Sequence, residues 1–303
     1  MQFPIRLGTR GSPLALTQAR MVQTALRAAH GWPEDAIEIV AIKTSGDRIQ
    51  DRALSEVGGK ALWTKELDRA LIDGEIHFAV HSMKDVETIR PAEIVIATML
   101  PRADVRDRLI GAESLKALPA HAVIGTSSPR RSAQVRRARP DTTVTLFRGN
   151  VDTRLAKLAA GEADATLLAA AGLSRLDRPD VGNPIAVDEM LPAPAQGAVG
   201  IETLASNEAM VAALSAIDDV ATSTCVRIER AFLAALAGDC KSPVAALAEM
   251  AGDSIRLRAE ILTEDGAEHV AGERQIGGPD DAAGLAHELL DRASPALRSL
   301  FGK

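Results

Sequence analysis

The chain has no tyrosine, two tryptophans and five phenylalanines among its 303 residues. So little aromatic surface leaves few platforms for stacked bases, which argues against nucleic acid as a partner. Its two cysteines, Cys225 and Cys240, are too few for a disulfide framework, and both are expected to be reduced. No apolar run is long enough to cross a bilayer, and Met1-Gln2-Phe3-Pro4 enters a strand without a signal-peptide pattern. The expectation is a cytoplasmic protein with no membrane partner. Neither a Walker loop nor a dinucleotide fingerprint occurs. His77 and His81 flank the strand-like Phe78-Ala79-Val80, which separates them by roughly 13 Å, too far to share one ion. No metal site is expected.

Arginine is what the chain has, and in one place. Residues 130–154 hold seven arginines against Asp141 and Asp152, a local +5 inside a chain of net charge −6. A basic island in an acidic protein points to a defined polyanionic ligand. The run Gly125 to Pro140 follows the apolar Ala122-Val123-Ile124. In it, Ser128 and Pro129 read as N-cap and first helical residue, and Arg139-Pro140 as the helix end. Arg136, Arg137 and Arg139 fall near the helix C-terminus, where cations complement the dipole and read as a solvated end. Arg130 and Arg131 fall in the first turn, where the dipole disfavours them. An anion bound by both arginines and the free N–H groups explains them better than an incidental surface pair. On that reading, removing a first-turn cation would raise the stability of the ligand-free protein.

The same device occurs earlier, in Arg6 to Pro13. Arg10 precedes a Ser12-Pro13 helix start, and Ala15, Ala19, Val22 and Leu26 keep one face. A second echo pairs Leu71 to Glu75 with Leu158 to Glu162; in each a helix ends at glycine and an apolar strand follows. Taken alone the echoes fit chance likeness of common αβ turns equally well; taken together they point to two α/β lobes of similar design, each aiming a helix N-terminus at a shared cleft, with ligands at the strand carboxyl ends. Leu100 to Asp104 and Leu191 to Gly197 read as crossings between lobes that can hinge. The expected division is 1–100 with 197–217 for lobe one, 104–193 for lobe two, and 220–303 for a small C-terminal α+β domain. That domain would carry a helix near 226–237, three antiparallel strands at 244–247, 255–262 and 269–276, and a closing helix near 285–290.

Two further segments carry chemistry. His81-Ser82-Met83-Lys84-Asp85-Val86 follows a strand, where Lys84 and Asp85 offer a carboxylate-binding cation and an acid, base or counterion; a capped turn with a surface ion pair fits the spacing equally well. Cys225 reads as a small buried residue. Cys240 lies in the loop Gly238-Asp239-Cys240-Lys241, and the residues alone leave it either an ordinary thiol or a covalent attachment point.

The motifs RLGTRGSPLAL, KTSGD, GGKALWTKEL, HSMKDV, GTSSPRR, LFRGNVDTRL, AAAGL, LPAPAQGAVGIE and the ERAFL…GDC…P segment occur in this order. With them the chain resembles the porphobilinogen deaminase (hydroxymethylbilane synthase) family over essentially its whole length. The resemblance implies two periplasmic-binding-protein-like doubly wound lobes joined by a hinge, plus a small α+β C-terminal domain with a three-stranded antiparallel sheet. It implies a transferase, acting as a monomer, that condenses four molecules of the small-molecule substrate porphobilinogen on a dipyrromethane cofactor joined by a thioether to Cys240. Asp85 matches the catalytic aspartate. Arg10, Ser12, Lys60, Ser82, Lys84, Thr126, Ser128, Arg130, Arg131, Arg148, Asn150, Arg154, Arg175 and Gln196 match positions that bind the carboxylates of cofactor and substrate.

Three residues depart from the family pattern. Asp239 stands where a glycine usually precedes the cysteine, Ala195 replaces a glycine before Gln196-Gly197, and Glu56 replaces a lysine found in some members. A binding protein for an organic anion would explain two lobes and arginines, but not Asp85 or a third domain. A nucleic-acid binder would explain the arginines, but not the acidic balance.

Overall fold

The computed structural model describes residues 2–44, 64–239, 241–252 and 254–302. Strand β1 (Ile5–Arg10) leads through Ser12 into helix α1 (Pro13–His30). The Ser12 hydroxyl accepts from the Ala15 N–H at 3.3 Å, Pro13 presets the first turn, and Gly31 ends the helix at φ 64°. Ala15, Ala19, Val22 and Leu26 form the buried stripe that the spacing requires. Strands β2 (Ile37–Ile42), β3 (Phe78–Ser82) and β4 (Ile94–Met99) follow, with helix α2 (Lys65–Ile72) before β3.

The second part repeats this design. Strands β5 (Asp107–Ile110) and β6 (Val123–Gly125) precede helix α3 (Pro129–Ala138). Strand β7 (Thr143–Thr145), helix α4 (Val151–Ala159), strand β8 (Ala165–Ala169), helix α5 (Ala170–Arg175) and the short β9 (Asn183–Pro184) complete it. Strand β10 (Val199–Leu204) then returns to the first sheet. The two sheets share one topology. The first runs β2-β1-β3-β10-β4 and the second β7-β6-β8-β5-β9. In each, three parallel strands meet an antiparallel fourth. The echoed glycines also match, with Gly74 at φ 70° and Gly161 at φ 75°. The two sequence echoes are thus copies of one doubly wound unit.

Helices α6 (Glu208–Ser215) and α7 (Val220–Ala235) lead to a three-stranded antiparallel sheet, β11 (Val244–Ala251), β12 (Ser254–Leu262) and β13 (His269–Ile276). Helices α8 (Pro279–Arg292) and α9 (Pro295–Arg298) close the chain. Phe232, Leu236, Leu257, Leu285 and Leu289 form the core between helices and sheet. Helix α7 starts six residues before the expected Val226, because Asp219 caps it by accepting from the Thr222 N–H at 2.8 Å. Cys225 therefore lies inside this helix and is buried, as its reading as a small buried residue expects. Helix α8 likewise starts before Leu285, at Pro279, with Asp280 and Asp281 in its favourable first turn.

Two compact units divide between Ala103 and Asp104, between Gln196 and Gly197, and between Thr224 and Cys225. The second five-stranded sheet and the three-stranded sheet share one unit.

Candidate active site

Strand β3 ends at Ser82, and a single 3₁₀ turn, Met83–Asp85, follows. Met83 anchors the turn. Its side chain is buried, and its N–H donates to the Ala198 carbonyl at 3.1 Å. A Cβ on Gly200 would come within 2.0 Å of the Met83 sulfur, so any larger residue there would displace the Met83 side chain. With Met83 turned inward, Asp85 borders a cavity of about 50 Å³ lined also by Arg10, Ser12, Gln18, His81 and Ser82. The Gln18 amide clamps one wall by donating to the Ser82 hydroxyl at 2.8 Å. The structure thus brings Arg10, Ser12, Ser82 and Asp85 together. Lys84 is half-buried and is not one of the lining residues.

A buried ionic network lies beside this wall. His81 Nε2 is 3.1 Å from Glu202 Oε2, and Arg90 donates to both Glu202 oxygens at 2.8 and 2.9 Å. Arg90 also pairs with Asp68, and with Glu87 at 2.9 Å. Burial opposes the Glu202 charge, but the His81 contact and the Arg90 guanidinium outweigh it and hold the carboxyl down to about 2. Sequence reasoning assigned no role to Glu202, although a lone charged residue in the mostly apolar Val199–Leu204 strand was the available signal.

In the second unit, the Ser128 hydroxyl caps α3 by accepting from the Arg131 N–H at 3.4 Å, and Thr126 Oγ1 accepts from the Ser128 N–H at 3.2 Å. An anion of the protein's own already faces Arg130 and Arg131. Asp107, fully buried, takes Arg130 Nη2 on one oxygen and Arg131 Nη2 on the other, each at 2.7 Å. Arg131 Nε at 3.2 Å and Gln196 Nε2 at 2.9 Å also donate to Asp107. Burial alone would raise the Asp107 pKa; the two guanidinium groups hold it well below the usual carboxylate range. This overturns the expectation that losing a first-turn cation would stabilise the ligand-free protein, because each arginine neutralises a buried charge.

The remaining predicted binding residues among those described also lie in this unit. Asn150 caps α4 by accepting from the Thr153 N–H at 2.9 Å. Arg154 donates to the Gly149 carbonyl at 3.1 Å and to Ser127 Oγ at 3.3 Å. Arg148 is buried, and burial brings the Arg175 guanidinium down to about 10, so it stays charged at neutral pH. The arginines at the far end of α3 are not simply solvated. Arg137 reaches Glu260 at 3.4 Å, and Arg139 pairs with Asp141 at 2.7 Å while donating to the Leu115 and Leu118 carbonyls at 2.9 Å. Lys60, Cys240 and Glu56 lie outside the described residues. No group of three or more potential metal ligands occurs among the described residues.

A doubly wound α/β chain with an aspartate at a strand's carboxyl end, beside arginine and serine donors, has the makings of an enzyme for carboxylate-rich substrates. The chain belongs to the porphobilinogen deaminase family. Residues 5–212 match its dipyromethane cofactor binding domain, and residues 223–293 match its C-terminal domain. Porphobilinogen deaminase of Sphingopyxis alaskensis is 58% identical over 98% of this chain and 96% of its own length. That of Paracoccus denitrificans is 51% identical over 96% and 95%. Solved structures similar in fold include the periplasmic VFT2 domain of Bordetella pertussis BvgS, with TM-score 0.41 and 14% identity over 70% of this chain and 86% of that one. Substrate binding domain 2 of Lactococcus lactis GlnP gives TM-score 0.42 and 11% identity over 70% and 85%.

Proposed function

We propose that Asp85 carries the chemistry, and Cys240 the cofactor, of the reaction this family performs. The chain is a transferase of tetrapyrrole biosynthesis. It condenses four porphobilinogen molecules head to tail on a dipyrromethane cofactor, releases ammonia at each addition, and yields hydroxymethylbilane after hydrolysis. The observation that supports the site assignment is the shared cavity of Arg10, Ser12, Ser82 and Asp85.

That donor set fits the cofactor's chemistry. Arginine and serine suit acetate and propionate groups, and a carboxylate suits pyrrole N–H groups. Bound through Cys240, the dipyrromethane supplies the pyrrole carbon to which the first substrate joins. The chain's own residues do the rest. Arg10 and Ser12, with Lys60, Ser82 and Lys84, hold substrate carboxylates in the first unit. Thr126, Ser128, Arg130, Arg131, Arg148, Asn150, Arg154, Arg175 and Gln196 do so in the second. Asp85 gives a proton to the departing amine, and its carboxylate then stabilises the cation left on the substrate pyrrole. As each added pyrrole brings two carboxylates, the arginine supply sets how much negative charge the protein can neutralise.

The protein acts as a monomer in the cytoplasm, with porphobilinogen as its partner and no nucleic acid or membrane. Its acidic balance keeps copies and polyanions apart, and no helix among the described residues is long and apolar enough to cross a membrane. Three domains are proposed, 1–100 with 197–217, 104–193 and 220–303, the last carrying Cys240.

Intact mass spectrometry tests the cofactor assignment. The purified protein should be heavier than its sequence by a dipyrrole, Cys240→Ala should lose the adduct, and Cys225→Ala should keep it. An active Cys240→Ala enzyme without adduct would refute it. Size-exclusion chromatography with light scattering tests the monomer, a dimer mass being the contrary result.

A further inference from the structure

We infer that Glu260, on β12 of the three-stranded sheet, is a positioning residue for the arginine pair at the start of α3. This rests on the reading that Arg130 and Arg131 take carboxylates of the growing chain. Neither Glu260 nor the residue that links it to the pair, Gln134, lies in the motifs that carry the family resemblance.

The link is an amide with one permitted orientation. Gln134 sits one helical turn after Arg130 and is 2% exposed. Its Nε2 donates to Glu260 Oε1 at 2.7 Å and to the Leu191 carbonyl at 3.0 Å, while its Oε1 accepts from Arg130 Nη1 at 2.8 Å. Carboxylates and carbonyls only accept, and a guanidinium only donates. Turned over, the amide would set its oxygen against two acceptors and its NH2 against Arg130. Glu260 offers this amide a second, buried acceptor beside the carbonyl. The Leu191 carbonyl is already shared with Arg130 Nη1 at 2.8 Å. Arg137, on the next turn of α3, approaches the other Glu260 oxygen at 3.4 Å, so both oxygens are committed to this helix.

The consequence reaches the pair through Asp107. Arg130 Nη2 occupies one Asp107 oxygen, and Arg131 occupies the other through Nε at 3.2 Å and Nη2 at 2.7 Å. If the amide is free to turn, Arg130 loses an acceptor and shifts, and Asp107 and Arg131 shift with it. A buried chain of bonds thus runs from the three-stranded sheet to the arginine pair within one compact unit.

Steady-state kinetics of the holoenzyme with porphobilinogen test this. The variants are Glu260→Ala, Glu260→Gln, Gln134→Ala, the double variant Glu260→Ala/Gln134→Ala, and Arg131→Leu. Arg256→Gln serves as a control, because Arg256 lies on the same strand as Glu260 and makes an exposed pair with Glu273 of β13. Glu260→Ala should raise KM about five- to tenfold with kcat within about twofold. Glu260→Gln keeps a carbonyl that accepts from Gln134 and should recover most of that loss. The double variant should be no worse than Gln134→Ala alone, and Arg256→Gln should leave KM unchanged. Additive losses in the double variant, or a fall in kcat alone, would overturn the inference. Wild-type KM for Arg131→Leu would instead overturn the carboxylate reading beneath it. A raised KM for Arg131→Leu beside a wild-type KM for Glu260→Ala removes the role of Glu260 only. If Glu260→Ala does not accumulate, Glu260→Gln decides: a KM rise that vanishes on the Gln134→Ala background supports the link, and an equal rise on both backgrounds refutes it.

Discussion

The backbone N–H of Ala195 donates to the buried Glu229 carboxylate at 2.6 Å, while Ala195 itself is held in the left-handed region at φ 62°. The second Glu229 oxygen accepts from the Ala248 N–H at 2.8 Å. One carboxylate on α7 therefore ties the 191–197 segment to β11, and the Ala246 N–H adds a bond to the Pro192 carbonyl at 3.1 Å. The departure noted in the sequence, alanine in place of glycine, falls where the backbone needs positive φ.

An L-residue in this conformation costs about 1–2 kcal/mol, whereas a glycine there gives back roughly 0.5–1 kcal/mol through its freer unfolded chain. Ala195→Gly should therefore be neutral or slightly stabilising. Ala231→Gly, inside α7, should cost about 1 kcal/mol, or roughly 2 °C in melting temperature for a chain of this size. Equal losses for the two variants in a thermal melt would show that the strain is not real.

Arg131 and Arg136 lie on the same helix, but their removal should differ in kind. Arg131→Leu leaves Asp107 buried with one cation and should cost about 3 kcal/mol in urea unfolding. It should also weaken carboxylate binding roughly ten- to a hundredfold. Arg136 is half-buried and donates to the Glu264 carbonyl at 3.5 Å, so Arg136→Leu should stay within about 0.5 kcal/mol of the parent. Similar unfolding midpoints for both variants would contradict the buried triad.

Much of this was legible in local sequence. Ser12-Pro13 and Ser128-Pro129 announce helix starts, and the glycine-then-strand echoes announce two copies of one unit. The arginines against their dipole announce an anion. Their partner was not legible, because Asp107 lies 23 residues before Arg130 on a strand whose pairing is set only by the tertiary fold. The return of the chain to the first sheet was readable from its two crossings. That β10 inserts antiparallel between β3 and β4 was not, since periodicity fixes a strand but not its neighbours. Thr222-Ser223-Thr224 hid the start of α7, polar and β-branched residues being weak helix formers that Asp219 overrides by capping.

Glu202 gives a pH dependence with a defined sign. Its folded pKa, about 2, lies below the ordinary value of 4.5. A depressed carboxylate contributes stability that is present above the unfolded pKa and lost as pH falls through the folded one. Melting temperature should fall between about pH 5 and pH 2, with Glu202 contributing on the order of 3 kcal/mol. Asp107, depressed by its arginines, adds to the loss on the acid side of this window. Glu202→Gln should be less stable at pH 7 and should show a shallower decline across the same range. Parallel pH profiles for variant and parent would exclude the His81–Glu202–Arg90 network as a source of acid sensitivity.

Asp85 should govern turnover more than folding. It ends a turn anchored by Met83 and is only half-buried, so Asp85→Asn should keep the melting temperature within a few degrees of the parent. The amide keeps the size and can still accept a pyrrole N–H. It cannot give up a proton to the departing amine, and it has no charge to set against the cation left on the substrate. General acid assistance is worth about 10²–10⁴-fold, and loss of the counterion adds to it, so ammonia release should fall by at least that range. Binding through the arginines is untouched, so native mass spectrometry should find stalled complexes carrying bound pyrroles instead of free enzyme. Asp85→Glu keeps the charge but displaces it by one methylene, and should retain more activity than the asparagine variant. Ammonia release by Asp85→Asn at the parent rate would return Asp85 to a residue that merely closes its turn.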